Sequence, residues 1–155
     1  MPIRPAILSD AAGISRLLTQ LEYPGTEDFL PDRLQHMLED PAETLLVWAE
    51  LSTPGAITDE PGAPRDQAIL GFLSLHFIPQ IALRGDFARI SYFAVDNDAR
   101  SLGIGRKLEE MATRLATERG CALMEVHCHM RRTRAHEFYA RQGWVESPKY
   151  LIKRL

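Results

Sequence analysis

The chain has 155 residues, of which 45% are hydrophobic and 25% charged, with a formal net charge of -3. That length suits one domain with its own core, and the composition excludes a disordered or fibrous chain. The slight negative charge gives no electrostatic reason to approach nucleic acid or an anionic membrane, so neither is expected as a partner. Cys121 and Cys128 lie too close together to brace a domain and read as free thiols of a reducing compartment. The opening MPIRPAILSDAAGI has no long apolar stretch and no window offers 18 consecutive apolar residues, which points to the cytoplasm.

Residues 2–8 read as a short strand, and Asp10 is the expected N-cap of a helix carrying Ile14, Leu17, Leu18 and Leu21 on one face. Tyr23-Pro24-Gly25 stops it. A second helix starts near Pro31, with Leu34, Met37 and Leu38 in register, and Asp40-Pro41 ends it. Thr44–Leu51 and Ala68–Phe77 read as two strands of a hairpin, and the tip at 52–67 has loop composition and carries no assigned chemistry. Residues 88–95 form a further strand, followed by a glycine loop and a helix over 104–118 that Gly120 terminates. Residues 122–128 make another strand, 133–142 another helix, and 144–155 two short terminal strands around Pro148. The order is β-α-α-β-β-β-α-β-α-β-β, without internal repeat, in a single α/β domain spanning 1–155.

The loop Arg100-Ser101-Leu102-Gly103-Ile104-Gly105 joins a strand to a helix, which aims unpaired backbone N–H groups at one spot while the helix dipole favours negative charge there. Gly103 and Gly105 let the backbone approach a diphosphate, and Arg100, Arg106 and Lys107 supply positive charge. A Gly-x-Gly pair alone often means only a turn. The Walker pattern is absent, and the Rossmann fingerprint fails because Leu108 occupies its third glycine position.

Phe93-Ala94-Val95-Asp96 followed by Arg100-x-x-Gly103-x-Gly105 resembles the acyl-coenzyme A loop of the GNAT superfamily of N-acetyltransferases. Ala135-His136-Glu137-Phe138-Tyr139 and Gln142-Gly143-Trp144 are similar to a second block of that family, and the resemblance covers essentially the whole chain. Leu75-His76, Arg132 and Ala135-His136 further resemble the aminoalkylphosphonate N-acetyltransferase group. The resemblance implies a central mixed, mostly antiparallel sheet flanked by about four helices, with acetyl-CoA as co-substrate and a small-molecule amine as acceptor. A homodimer is left open. Strands 88–95 and 122–128 would splay around the pantetheine arm, with backbone groups of Phe93 and Val95 bonding it and the N–H of Phe93 polarising the thioester carbonyl. Residues 93–95 and 100–107 would thus hold the coenzyme, joined by Arg132, which stands where the family often has asparagine.

By the same resemblance Tyr139 is the general acid for the departing thiolate; its alternative role is packing beside Phe138 and Trp144. Many relatives carry a glutamate on the strand before the loop, and Ala88-Arg89-Ile90-Ser91-Tyr92-Phe93 has none. His76 is the best substitute base, since histidine side chains can take up a proton near neutral pH, against the alternative of a merely hydrogen-bonded histidine. His127 and His129 share one face of their expected strand and offer two metal ligands; spacing supplies no third, so no metal is assigned. Arg131, Arg132 and Arg134 make a basic run suited to a phosphate or an anionic substrate, or simply to a solvated helix start. By the same resemblance Tyr23-Pro24 is expected over the acceptor pocket, against the alternative of an ordinary turn. The alternative function is an acyl-CoA-binding sensor without turnover.

Overall fold

Five strands form one sheet in the order β1-β2-β3-β4-β5. In this computed structural model, which describes residues 2–51, 67–147 and 151–155, the strands are β1 (Ile3–Pro5), β2 (Glu43–Leu51), β3 (Gln67–Ile78), β4 (Phe87–Val95) and β5 (Leu123–Val126). The helices are α1 (Ala11–Gln20), α2 (Leu30–Glu39), α3 (Ile104–Glu118) and α4 (Thr133–Arg141). All neighbouring strands are antiparallel except β4 and β5, which run parallel. The mixed, mostly antiparallel sheet and its four helices agree with the sequence reading. The hairpin tip expected at 52–67 lies outside the described residues, apart from Gln67, which opens β3.

Apolar spacing decides which face each helix buries. Ile14, Leu17 and Leu18 of α1 and Leu34 of α2 pack with Val47 and Phe72 on one face of the sheet. Ile104, Leu108, Ala112 and Ala116 recur every fourth residue along α3, a single helical stripe. They pack with Leu73, Leu75 and Ile90 on the other face. Leu17, Leu34, Leu73 and Leu108 are fully buried, each removing apolar surface worth about 1.5–3 kcal/mol from water.

Three expectations are corrected. Asp10 precedes α1 but its side chain does not cap it; the carboxylate turns back to accept from the Ile7 amide and from both terminal nitrogens of Arg4, because a fork-to-fork ion pair outweighs one amide bond. Strand β5 ends at Val126 rather than 128. The terminal strands expected around Pro148 are not formed by residues 144–147 or 151–155. Val145, Leu151 and Ile152 stand exposed, and a strand without a partner or a buried face has nothing to hold it.

Candidate active site

The site begins with a break in the ladder. In the pairing of β3 with β4, Ser74 faces Tyr92 and Leu75 faces Ile90, so Ser91 is an extra residue that bulges β4. A bulge bends its strand. Parallel pairing with β5 runs from Phe87 opposite Leu123 to Ile90 opposite Val126 and stops there. β5 ends at Val126, and among the described residues no strand pairs with the outer edge of β4 from Tyr92 to Val95.

Which amides face that open edge follows from one bond. The Asp96 N–H donates to Leu70 O on β3 at 2.8 Å, and backbone direction alternates along a strand, so Ala94 and Tyr92 also turn towards β3. Phe93 and Val95 therefore present their N–H and C=O groups to the gap. These are two of the residues that sequence reasoning selected.

The gap has a different wall on each sheet face. On the α3 side the Phe93 ring meets Phe138 edge-on with centroids 5.7 Å apart, Phe138 meets Tyr139 at 5.3 Å, and Tyr139 meets Trp144 at 5.4 Å. Trp144 is anchored in turn by its Nε1–H, which donates to Glu109 on α3 at 2.9 Å. Burial pushes the Tyr139 phenol far above its ordinary pKa, and the neighbouring Cys128 thiol adds to this while Arg132 opposes it. Tyr139 is thus a neutral phenol at any physiological pH. On the α1 side, Tyr23 stands edge-on to Tyr92 with centroids 5.4 Å apart.

At the end of β4 the chain turns into α3 through a loop with two left-handed residues, Ser101 at φ 69° and Gly103 at φ 80°. Gly103 is the helix N-cap and no side chain caps α3, so the first amides, from Ile104 to Arg106, have no acceptor in the helix. Turns of this kind make concave anion sites. A Cβ on Gly103 would meet nothing within 4 Å, whereas one on Gly105 would touch Phe138 at 3.4 Å and Val95 at 3.6 Å. Gly103 is thus favoured by its backbone angle, whereas at Gly105 a Cβ would make only ordinary contact with the aromatic wall.

The basic residues separate into two groups. Arg106 pairs with Glu110 along α3 at 2.7 Å, and the Lys107 ammonium lies 5.4 Å from the Trp48 ring centre, so both charges have partners away from the loop. Arg100, Arg131 and Arg132 instead line one depression of about 280 Å³ with Gln20, Leu21 and Glu22. Arg131 is paired with Glu22 across it.

His76 lies on the same sheet face as Tyr92, next to Arg89 of β4 and Glu43 of β2 in register. Its Nδ1 sits 2.5 Å from Glu43 Oε1. Leu73 is the residue opposite Phe93, so His76 stands three residues, about 10 Å, further along the sheet. Ser74 lies between them, 2% exposed, and its hydroxyl has no hydrogen-bond partner. His127 and His129 follow β5 rather than sharing a strand face, because the strand ends at Val126. The His129 carbonyl accepts from His136 Nε2 at 2.9 Å. Among the described residues no cluster of three or more His, Cys, Asp or Glu side chains could hold a metal ion, and no helix is long and apolar enough to cross a membrane.

Sequence reasoning missed Glu43, Ser74 and the contacts of Arg16. The Arg16 guanidinium reaches from α1 to the Asp96 carboxylate and to Ile69 O. Arg16 sits on a helix with no motif around it, and Glu43 acquires meaning only through the register of the hairpin.

Several solved structures share this fold. A transcriptional regulator from Bacillus halodurans C-125 is 23% identical, with a TM-score of 0.81 over 99% of this chain and 98% of that one. An acetyltransferase from Trypanosoma brucei is 18% identical, with a TM-score of 0.74 over 99% and 98%. An aminoglycoside acetyltransferase from an uncultured soil metagenomic sample, crystallised with trehalose, is 20% identical, with a TM-score of 0.71 over 99% and 95%. No curated protein matches the sequence. The model of the acetyltransferase (GNAT) family matches residues 16–144, a span that runs from Arg16 through the bulged strand and the glycine loop to Trp144. The chain therefore belongs to the acetyltransferase (GNAT) family and is an acyl-CoA-dependent N-acyltransferase.

Proposed function

We propose that the protein moves an acetyl group from acetyl-CoA directly to the primary amine of a small molecule, in the cytoplasm and without a covalent enzyme intermediate. The observation that carries this reading is the open edge of β4, where the Phe93 and Val95 backbone groups face a gap walled by Tyr139 on one side and by Tyr23 and Tyr92 on the other. A pantetheine arm has amides of its own and can lie along such an edge as an added strand does. The loop from Arg100 to Gly105 then receives the diphosphate, with Arg132 beside it, and the acceptor enters from the Tyr23 side.

In this arrangement the Phe93 N–H stabilises the oxyanion as the amine nitrogen bonds to the thioester carbon. Collapse breaks the C–S bond. The Tyr139 hydroxyl protonates the departing sulfur, and the phenolate recovers a proton from the acylated nitrogen. Before attack the acceptor ammonium must lose a proton, which His76 takes through water or the Ser74 hydroxyl and passes to solvent. The thioester is already activated, so holding two reactants in place supplies much of the acceleration.

Thiol release measured with acetyl-CoA across a panel of amines tests the proposal. The panel includes aminoalkylphosphonates, from the resemblance around His76 and Arg132, polyamines, and aminoglycosides, after the structural relative of that name. One observation favours a second reading: β4 carries no glutamate at its bulge, as an acyl-CoA sensor without turnover could afford. Tight CoA binding with no thiol release on any amine selects the sensor.

A further inference from the structure

Across the sheet, one residue from each of four strands falls in a single row: Glu43 on β2, His76 on β3, Arg89 on β4 and Glu125 on β5. Arg89 and Glu125 pair through Nε at 2.7 Å, so the row consists of two adjoining pairs. The face is settled by Leu75 and Phe77, which flank His76 in sequence and are buried under α3; His76 therefore points to the opposite side, where Tyr92 and Tyr23 lie.

The two nitrogens of His76 have different surroundings. Nδ1 is buried and lies 2.5 Å from Glu43 Oε1, close enough for an ion pair but not aligned as a hydrogen bond, while the side chain as a whole is 34% exposed. Nε2 makes no hydrogen bond among the described residues and is not buried, so it occupies the open rim of the ring. A neutral imidazole carries its proton on one nitrogen only. Two bare lone pairs repel at 2.5 Å, so one of the two groups carries a proton. If Nδ1 holds it, Nε2 is left as the free acceptor on the side of the cleft.

We propose that Glu43 is a positioning residue that fixes His76 in the Nδ1–H tautomer, so that the Nε2 lone pair receives the proton of the acceptor amine. The inference rests on His76 being the base of the reaction proposed above, and it adds the group that orients that base. When Nε2 takes the proton, both ring nitrogens are protonated and the positive charge lies against the Glu43 carboxylate. Loss of that proton from Nε2 to water restores the starting tautomer. Burial holds the Glu43 carboxyl above the ordinary carboxylate range, against the attraction of His76 and aided by Asp40. Glu43 thus sits where its negative charge has most to gain from an imidazolium beside it. Arg89 flanks the ring on its other side, and its charge is met by Glu125 rather than by His76. No other motif of the sequence marks Glu43.

The tautomer is read directly by long-range proton–nitrogen correlation NMR on uniformly 15N-labelled protein at a pH where His76 is neutral, without any substrate. The expected wild-type spectrum shows Nδ1 protonated and Nε2 bare. Glu43→Met removes the acceptor and should convert His76 to a mixture or to the Nε2–H form, with kcat lowered at least about tenfold and the KM for acetyl-CoA unchanged. Glu43→Gln keeps a side-chain carbonyl for Nδ1–H and should retain the tautomer with an intermediate kcat. An Nε2–H tautomer in the folded wild type overturns the proposal, as does full kcat in a folded Glu43→Met variant. Because the spectrum needs no turnover, a protein inactive on every amine leaves the positioning result readable, and an active protein with the wrong tautomer sinks only the role of Glu43.

Discussion

The Arg16 guanidinium on α1 binds the Asp96 carboxylate at the entrance to the loop that opens α3. Gln20, one helical turn on, accepts from the Asn97 amide at 2.9 Å, and Asp96 itself accepts from the Asp98 amide at 3.0 Å. The helix that leads to Tyr23 therefore also holds the loop that leads to Gly103, so the two sides of the gap share one support. Arg16→Met leaves the Asp96 carboxylate, only 6% exposed as a residue, without its cation, which costs roughly 1–3 kcal/mol. The KM for acetyl-CoA should rise several-fold with kcat nearly unchanged, and steady-state kinetics with varied acetyl-CoA checks this.

The same carboxylate gives a pH prediction. Burial alone would raise the Asp96 pKa; the Asp98 amide, Arg16 and Gln20 outweigh it and hold the group below the ordinary aspartate value of 3.8. A depressed folded pKa stabilises the fold at every pH above the unfolded value, and that contribution disappears as pH falls through the folded one. Asp96→Asn should therefore lower Tm near neutrality, and the gap from wild type should narrow as acid titrates the wild-type carboxylate below about pH 4. Thermal melts at a series of pH values measure it; a constant gap would remove the charge from the explanation.

Tyr139→Phe keeps the ring contacts with Phe138 and Trp144 and deletes the hydroxyl. Turnover should fall about a hundredfold if the phenol donates to the leaving sulfur, while the Kd for acetyl-CoA stays within about twofold, since transition-state and ground-state binding are separate. The phenol is raised far above its usual pKa by burial and remains neutral across the assay range, so no limb of the pH profile below pH 9 should belong to it. Unchanged kcat in the variant would take the acid role from Tyr139.

Gly103 has φ 80° and open space where a side chain would project. Gly103→Ala should lower stability by about 1 kcal/mol through backbone strain alone. Gly103→Val adds branched bulk over the amides of the helix start and should abolish coenzyme binding. Calorimetry on the two folded variants separates strain from obstruction, and binding retained by the valine variant would move the diphosphate elsewhere.

Much of this site could be read along the chain because its parts are local. Arg100, Gly103 and Gly105 fall within six consecutive positions, and a strand followed by a glycine turn and a helix is a pattern of neighbours. Tyr139 and Trp144 are likewise separated by one turn of chain. The boundaries of α3 and the start of α4 at Thr133 agree with apolar spacing for the same reason. What stayed hidden depends on register. Nothing near Glu43 says that it will lie beside His76, because the pairing of β2 with β3 is set across a long connection and includes a shift between Trp48 and Ala49. The bulge at Ser91 is also invisible locally, since it exists only relative to β3. The strands expected at 144–155 are absent from residues 144–147 and 151–155 for the opposite reason: local composition allowed strands there, and tertiary structure provided them with no partner among the described residues.

Together, the uncovered edge of β4 and the uncapped start of α3 should seat the coenzyme. Isothermal titration of the purified full chain with acetyl-CoA tests this most directly. The expected result is one site per chain with a Kd of about 1–100 μM, corresponding to roughly 5–8 kcal/mol, abolished by Gly103→Val. Absence of heat and of any thermal shift with either acetyl-CoA or CoA, in a folded protein, contradicts it.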